Sequence, residues 1–173
     1  MTAYISLVRS TLEYGATIWD PYLEKDISKI EKIQRKAIRF ICNDFRSKTP
    51  GSVTNMQSEL KLPDLKVRRK EKRLCFLYSI QKGTVPAINK NDYLIPLQNK
   101  RHIRAKTFSD CVTNNIVSRH QNIHNNCFQL PPSKSIVYKN SFFPRTISEW
   151  NELPPQIVSA QSLNIFKDRL NDQ

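Results

Sequence analysis

Between residues 25 and 42 the chain sorts isoleucine and lysine onto opposite faces of one helix. Ile27, Ile30, Ile33, Ala37, Ile38 and Ile41 share one face; Lys25, Lys29, Lys32, Lys36 and Arg39 share another. At 100° per residue the two face centres lie roughly 150° apart. Such a helix docks its isoleucines and turns its ammonium and guanidinium groups outward. Glu31 is the one acid after Asp26 in this segment, so the cations are hardly neutralised along their own helix.

Three glycines punctuate the chain. Gly15 and Gly83 suit the left-handed residue just past a helix end. Gly51 follows Pro50 and precedes Ser52, a good N-cap. Helices are therefore expected over about 3–14, 25–42, 52–60 and 64–82. The last begins with Lys66, Arg68, Arg69, Lys70, Lys72 and Arg73, which go all round it, and ends in the apolar run Leu74 to Ile80. Its first half is expected to face solvent or an anion and its second half to be buried. Cys42 and Cys75 fall in apolar helical context and are expected in the core.

From Thr84 to Lys134 the chain is rich in Asn, Gln, Ser and Pro, with weak periodicity. Ile88 to Pro96 reads as irregular connection. Phe108 to Ile123 reads as one or two helices. Ile136 to Lys139 is a candidate strand, with Lys106 to Phe108 as its hairpin partner. Pro144 then fits the first turn of a helix over about 144–152, with Phe143, Ile147 and Trp150 on one apolar face. Pro154-Pro155 cannot continue it. A final helix is expected after Ser162, with Leu163, Phe166 and Leu170 on one side. The fold expected is mainly α: a small helical bundle first, then a less regular half of short helices. Three regions follow: 1–83 basic and thumb-like, 84–135 connecting, and 136–173 a packing region.

Residues Tyr138 to Pro155, YKNSFFPRTISEWNELPP, resemble a block near the C-terminus of reverse transcriptases of non-LTR (LINE-type, jockey-like) retrotransposons. YISLVRSTLEYGATIWDPY (Tyr4 to Tyr22), IEKIQRKAIRF (Ile30 to Phe40) and RRKEKRLCFLY (Arg68 to Tyr78) resemble further family segments, in family order. Ile103 to Ser135 does not match, and Ser10 stands where the family usually carries proline. The resemblance implies an RNA-directed DNA polymerase whose palm precedes this region, with thumb-like helices here. It also implies an intracellular ribonucleoprotein setting, nucleus and cytoplasm.

The formal charge is +13 and the sequence pI about 9.8, which favours a polyanionic partner, nucleic acid before membrane. Residues 151–173 carry 2 Lys/Arg against 3 Asp/Glu, so the attraction sits upstream of this tail. The contact residues expected are Lys29, Lys32, Lys36 and Arg39 on the helix 25–42, and Lys66, Arg68, Arg69, Lys70 and Arg73 on the helix 64–82. They would grip RNA or DNA backbone by charge, without base specificity. On this reading, charge reversal of Arg68, Arg69 and Lys70 abolishes binding and leaves helix content unchanged. Tyr22, Phe45, Tyr93 and Tyr138 are candidate stacking aromatics, with half-buried anchors as the plainer reading. Trp19 and Trp150 are assigned to packing, and Asp20 to a cap or turn before Pro21.

No apolar run approaches a membrane span, and the N-terminus lacks a signal-peptide pattern. Four scattered cysteines read as reduced and intracellular. Cys111, His120, His124 and Cys127 have no usual zinc spacing, so two surface histidines and two small buried or half-buried cysteines are the plainer reading, and no metal is expected. No Asp-Asp pair occurs, and polymerase chemistry needs clustered aspartates to hold two Mg²⁺ ions. No catalytic residue and no cofactor are therefore expected in this chain, Mg²⁺ belonging to the absent palm, and the chain is expected to be inactive alone. The partners expected are nucleic-acid backbone and the upstream palm. The rivals are an inert transposon remnant and a stand-alone, non-specific nucleic-acid-binding protein.

Overall fold

The computed structural model describes residues 1–46, 49–97, 124 and 126–172. Among these the fold is mainly α, as the periodicity requires, and an isolated Pro96–Phe128 bridge is the only β-type pairing. A π-helical segment, Tyr4–Arg9, continues as α1 (Ser10–Glu13). Then come α2 (Ala16–Trp19), α3 (Glu24–Ile41), α4 (Ser52–Glu59) and α5 (Leu65–Gln81). Short α6 (Lys90–Tyr93) and α7 (Ile136–Lys139) precede α8 (Phe142–Asn151), α9 (Pro155–Val158) and α10 (Leu163–Asn171). No helix among the described residues is long and apolar enough to cross a membrane.

Local expectations are corrected at three places and extended at a fourth. Ile88 to Pro96, read as irregular connection, holds the short helix α6, which Asn89 Oδ1 opens by accepting from Asn91 N at 3.2 Å. Ile136–Lys139 is a helical turn: Ser135 Oγ accepts from Tyr138 N at 3.1 Å and starts it as an N-cap. Its proposed hairpin partner, Lys106 to Phe108, lies outside the described residues, as do the helices expected over Phe108 to Ile123. Ser52 is the first helical residue of α4; the cap position belongs to Gly51, at φ +86°. Pro154-Pro155 ends α8 as expected, but Pro155 also opens α9, where its fixed φ suits the first position.

The chain divides into two compact units, residues 1–73 and 74–173, with the division inside α5. In the first, Tyr4, Ile38 and Leu62 form the buried centre, with Ile5, Ala37, Ile41, Cys42, Val53, Met56 and Leu60 packed against it. Ile27 is buried too, whereas Ile33 stays 42 % exposed, so the apolar face of α3 is narrower than its isoleucines suggest. Gln34 occupies part of that face. It accepts from Tyr4 Oη at 2.8 Å and donates to the Pro63 carbonyl at 3.0 Å, tying α3 to the N-terminal segment and to the turn before α5. Burial pushes the Tyr4 phenol above its ordinary value, so it remains a donor.

The second unit is built around Trp150, which is fully buried. Its ring lies 5.6 Å from Phe166 and 6.1 Å from Phe128, and its Nε1 donates to the Asn126 carbonyl at 3.0 Å. Phe166 stacks on Tyr78 at 4.8 Å, and Tyr78 Oη donates to the Ala160 carbonyl at 2.9 Å. Asn151 clamps the backbone of Phe128 through both amide atoms, at 2.8 and 2.9 Å. Phe143 is half-buried, parallel to Tyr93 at 4.2 Å. The SFFPRTISEW block is thus a packed corner.

Candidate nucleic-acid interface

The two basic helices differ in where their charges go. On α3, Lys25, Lys32, Arg35 and Lys36 are exposed, and among the described residues none of them reaches a carboxylate. Lys29 is exposed and pairs with Asp26 at 3.0 Å across one turn, a contact that solvent weakens. Arg39 is half-buried and donates from Nη1 to the Asp44 carbonyl at 3.3 Å, at the helix end. Glu31 turns away from the cations. Its carboxylate accepts from Lys66 N at 2.8 Å and Leu65 N at 3.3 Å, capping α5 from another element. Lys29, Lys32 and Lys36 follow one another at i+3 and i+4, where like charges repel. A bound polyanion would relieve that repulsion.

The cations of α5 are mostly spent inside the first unit. Arg69 and Arg73 are 1 % and 2 % exposed, and both meet Asp20, whose side chain is 5 % exposed. Arg69 Nε donates to Asp20 Oδ1 at 2.6 Å, and its Nη2 lies 3.9 Å from Glu31. Burial pushes the Arg69 guanidinium below its ordinary value, and Glu31 partly offsets this. Arg68 forks onto both oxygens of Glu13, and Lys72 donates to Glu13 Oε2 at 2.7 Å. Lys66 lies 3.7 Å from Glu24, with both side chains exposed. Lys70 alone of this run is exposed with no acidic partner among the described residues.

The expected contact set is therefore divided. Lys29, Lys32, Lys36, Lys66 and Lys70 are placed where a polyanion can reach them. Arg69 and Arg73 are enclosed and are corrected to structural residues. Arg68, held by Glu13, and Arg39, turned to a backbone carbonyl, are partly withdrawn. Asp20, read as a cap or turn residue before Pro21, closes α2 as its C-cap and is also the anion at the centre of the buried group. The sequence signal for this pairing was weak, because 49 residues separate Asp20 from Arg69.

Glu13 has a consequence for acid stability. Burial alone would raise its pKa, but the hydrogen bonds from Arg68 and Lys72 outweigh this and hold it at about 2, against an ordinary 4.5. A depressed carboxyl stabilises the fold fully above the unfolded value, and that stability is lost as pH falls through the folded one. The difference corresponds to about 3 kcal/mol. Urea titrations of wild type and Glu13→Gln are expected to differ by about that amount at pH 6 and to converge between pH 4.5 and 2. A constant gap would mean that Glu13 is not ion-paired.

Of the candidate stacking aromatics, Phe45 is 64 % exposed, meeting Phe40 edge-on at 6.3 Å, whereas Tyr93 is occupied by Phe143. Tyr22 and Tyr138 are 37 % and 47 % exposed. Trp19, assigned to packing, is 42 % exposed and held by Nε1 donating to the Tyr14 carbonyl at 2.6 Å. Of the zinc-like set, Cys111 and His120 lie outside the described residues. His124, read as a surface residue, is buried and accepts from Asn126 N at 3.2 Å; Cys127 is buried. Among the described residues no group of three metal-ligating side chains occurs.

No family model, curated protein or solved structure matches this chain.

Proposed function

We propose that this chain binds the phosphate backbone of RNA or DNA through the exposed cations of α3, aided by Lys66 and Lys70. We read it as the non-catalytic, post-palm part of a LINE-type reverse transcriptase. In that setting it holds template-primer or element RNA while the palm carries the polymerase chemistry. The carrying observation is that Lys25, Lys32, Arg35 and Lys36 are solvent-exposed and unneutralised among the described residues, while Glu31 is engaged elsewhere. Lysines and arginines that neutralise phosphates release the cations condensed on the nucleic acid, with an entropic gain. The family assignment rests on the four sequence segments given above. The exposure of Leu7, Tyr14 and Ile18, at 69, 84 and 89 %, fits a palm packed beside the first unit.

The reading is tested by fluorescence anisotropy with labelled duplex and single-stranded oligonucleotides. Binding is expected at 50 mM salt with little preference among sequences, and to be lost by about 300 mM. Absence of binding at low salt, or tight binding to one sequence alone, would overturn it.

A further inference from the structure

Beside the cation row of α3 lies an open, polar cavity of about 500 Å³ within the first unit. Arg35 of α3, Thr54, Gln57 and Ser58 of α4, and Lys61 and Asp64 of the following turn line it. We propose that this cavity seats one phosphodiester of a bound nucleic acid, with Arg35 and Lys61 as its cationic grips. The inference rests on the α3 reading and extends it to residues from a second element.

Lys61 stands in a backbone conformation that lysine seldom adopts. The end of α4 closes with Lys61 N donating to the Ser58 carbonyl at 3.0 Å and Leu62 N to the Gln57 carbonyl at 3.1 Å. This paired closure places its C′ residue in left-handed backbone, where glycine is strongly favoured. α5 ends in the same way, with Gly83 N donating to the Ile80 carbonyl and Thr84 N to the Ser79 carbonyl, and there the residue is glycine, at φ +73°. At the end of α4 the chain instead holds a lysine at φ +52°. The backbone conformation is unfavourable for a lysine, and the residue that adopts it lines the cavity. Backbone strain of this kind clusters at functional positions.

The charges in the cavity select the ligand. Asp64 is its one carboxylate, and Gln57 Nε2 donates to Asp64 Oδ1 at 2.7 Å. The Ser58 hydroxyl is turned to the Thr54 carbonyl at 3.1 Å. The groups left to grip an anion are the Arg35 guanidinium, the Lys61 ammonium and the Thr54 hydroxyl. Two cations against one carboxylate leave one positive charge, which a phosphodiester matches and a dianionic phosphate monoester exceeds. Arg35 follows Lys32 by three residues, about one-sixth of a turn round the helix. The cavity therefore continues the cation row.

The test uses the full chain and a labelled 20-base-pair duplex of mixed sequence. An Arg35→Gln, Lys61→Gly double variant is expected to bind about five- to twentyfold more weakly at 50 mM salt. Its slope of log K against log salt should be shallower by about 0.9, the value of one phosphate. Lys61→Gly alone should weaken binding while leaving Tm unchanged or raising it by about 2–4 °C, because glycine relieves the left-handed backbone. A Lys61→Gly variant with lowered Tm and unaltered affinity would reduce Lys61 to a helix-end charge and overturn the proposal. So would a double variant that binds like wild type while Lys32→Glu, Lys36→Glu loses binding; the α3 reading would then survive. A wild type that binds no duplex overturns both, and one that instead binds phosphatidylserine vesicles reassigns the surface to lipid.

Discussion

Asp20→Ala is expected to unfold residues 1–73, or to bring them close to it. The Asp20 carboxylate stands between two guanidinium groups that are almost wholly enclosed. Removing it leaves Arg69 and Arg73 charged and buried, with Glu31 at 3.9 Å as the nearest remaining acid to Arg69. Breaking a buried ion pair by removing one partner typically costs about 3–5 kcal/mol, and here two guanidinium groups lose the carboxylate they share. A domain's whole stability is about 5–15 kcal/mol, so little or none remains. Urea unfolding followed by circular dichroism, with amide exchange over α3, measures the loss. Replacing Asp20, Arg69 and Arg73 together by leucine or methionine is expected to recover most of it, since apolar packing of like volume commonly equals a buried ion pair. A loss below about 1 kcal/mol for Asp20→Ala would show that the charges are hydrated. By the same reasoning, charge reversal of Arg68, Arg69 and Lys70 is now expected to cost helix content, contrary to the sequence-based expectation.

Lys29→Glu, Lys32→Glu, Lys36→Glu is expected to do the reverse, leaving the fold in place and removing binding. The three side chains lie outside the buried face that Ile27, Gln34 and Ile38 make. Glutamate forms helix about as well as lysine, and the like-charge spacing along the row is kept. Helix content and urea midpoint should therefore stay within about 0.5 kcal/mol of wild type. The change of six charge units on the binding face should lower affinity for duplex at least about 100-fold at 50 mM salt. If binding persists, Lys66, Lys70 or the residues outside the described set carry it.

How far the sequence revealed this molecule depended on the range of the interaction. The helices expected over 3–14, 25–42, 52–60 and 64–82 follow from local information, isoleucine spacing in α3 and glycine at the positive-φ positions 15 and 83, whereas the short α2 after Gly15 was not expected. The packed corner at Trp150 follows in the same way from prolines and aromatics at helical spacing. Ile136–Lys139 was misread because three apolar residues and a lysine fit strand and helix equally, and the deciding group, the Ser135 hydroxyl, lies outside the run. The site was half legible. Lys32 and Lys36 read as solvent-facing and are. Arg69 and Arg73 read as part of the same kind of surface, because a charge run shows which groups are present but not which distant acids meet them. Arg35 and Lys61 were missed, since their meeting depends on how α4 packs against α3.

On this reading the exposed cations of α3 neutralise phosphates while the arginines of α5 hold the fold. Duplex affinity measured between 50 and 300 mM salt, for wild type and for Lys29→Glu, Lys32→Glu, Lys36→Glu, tests it most directly. If the three lysines each neutralise a phosphate, the variant's slope of log K against log salt is shallower than wild type by roughly 2–3. Equal slopes in the two proteins, or a wild-type affinity indifferent to salt, would contradict it.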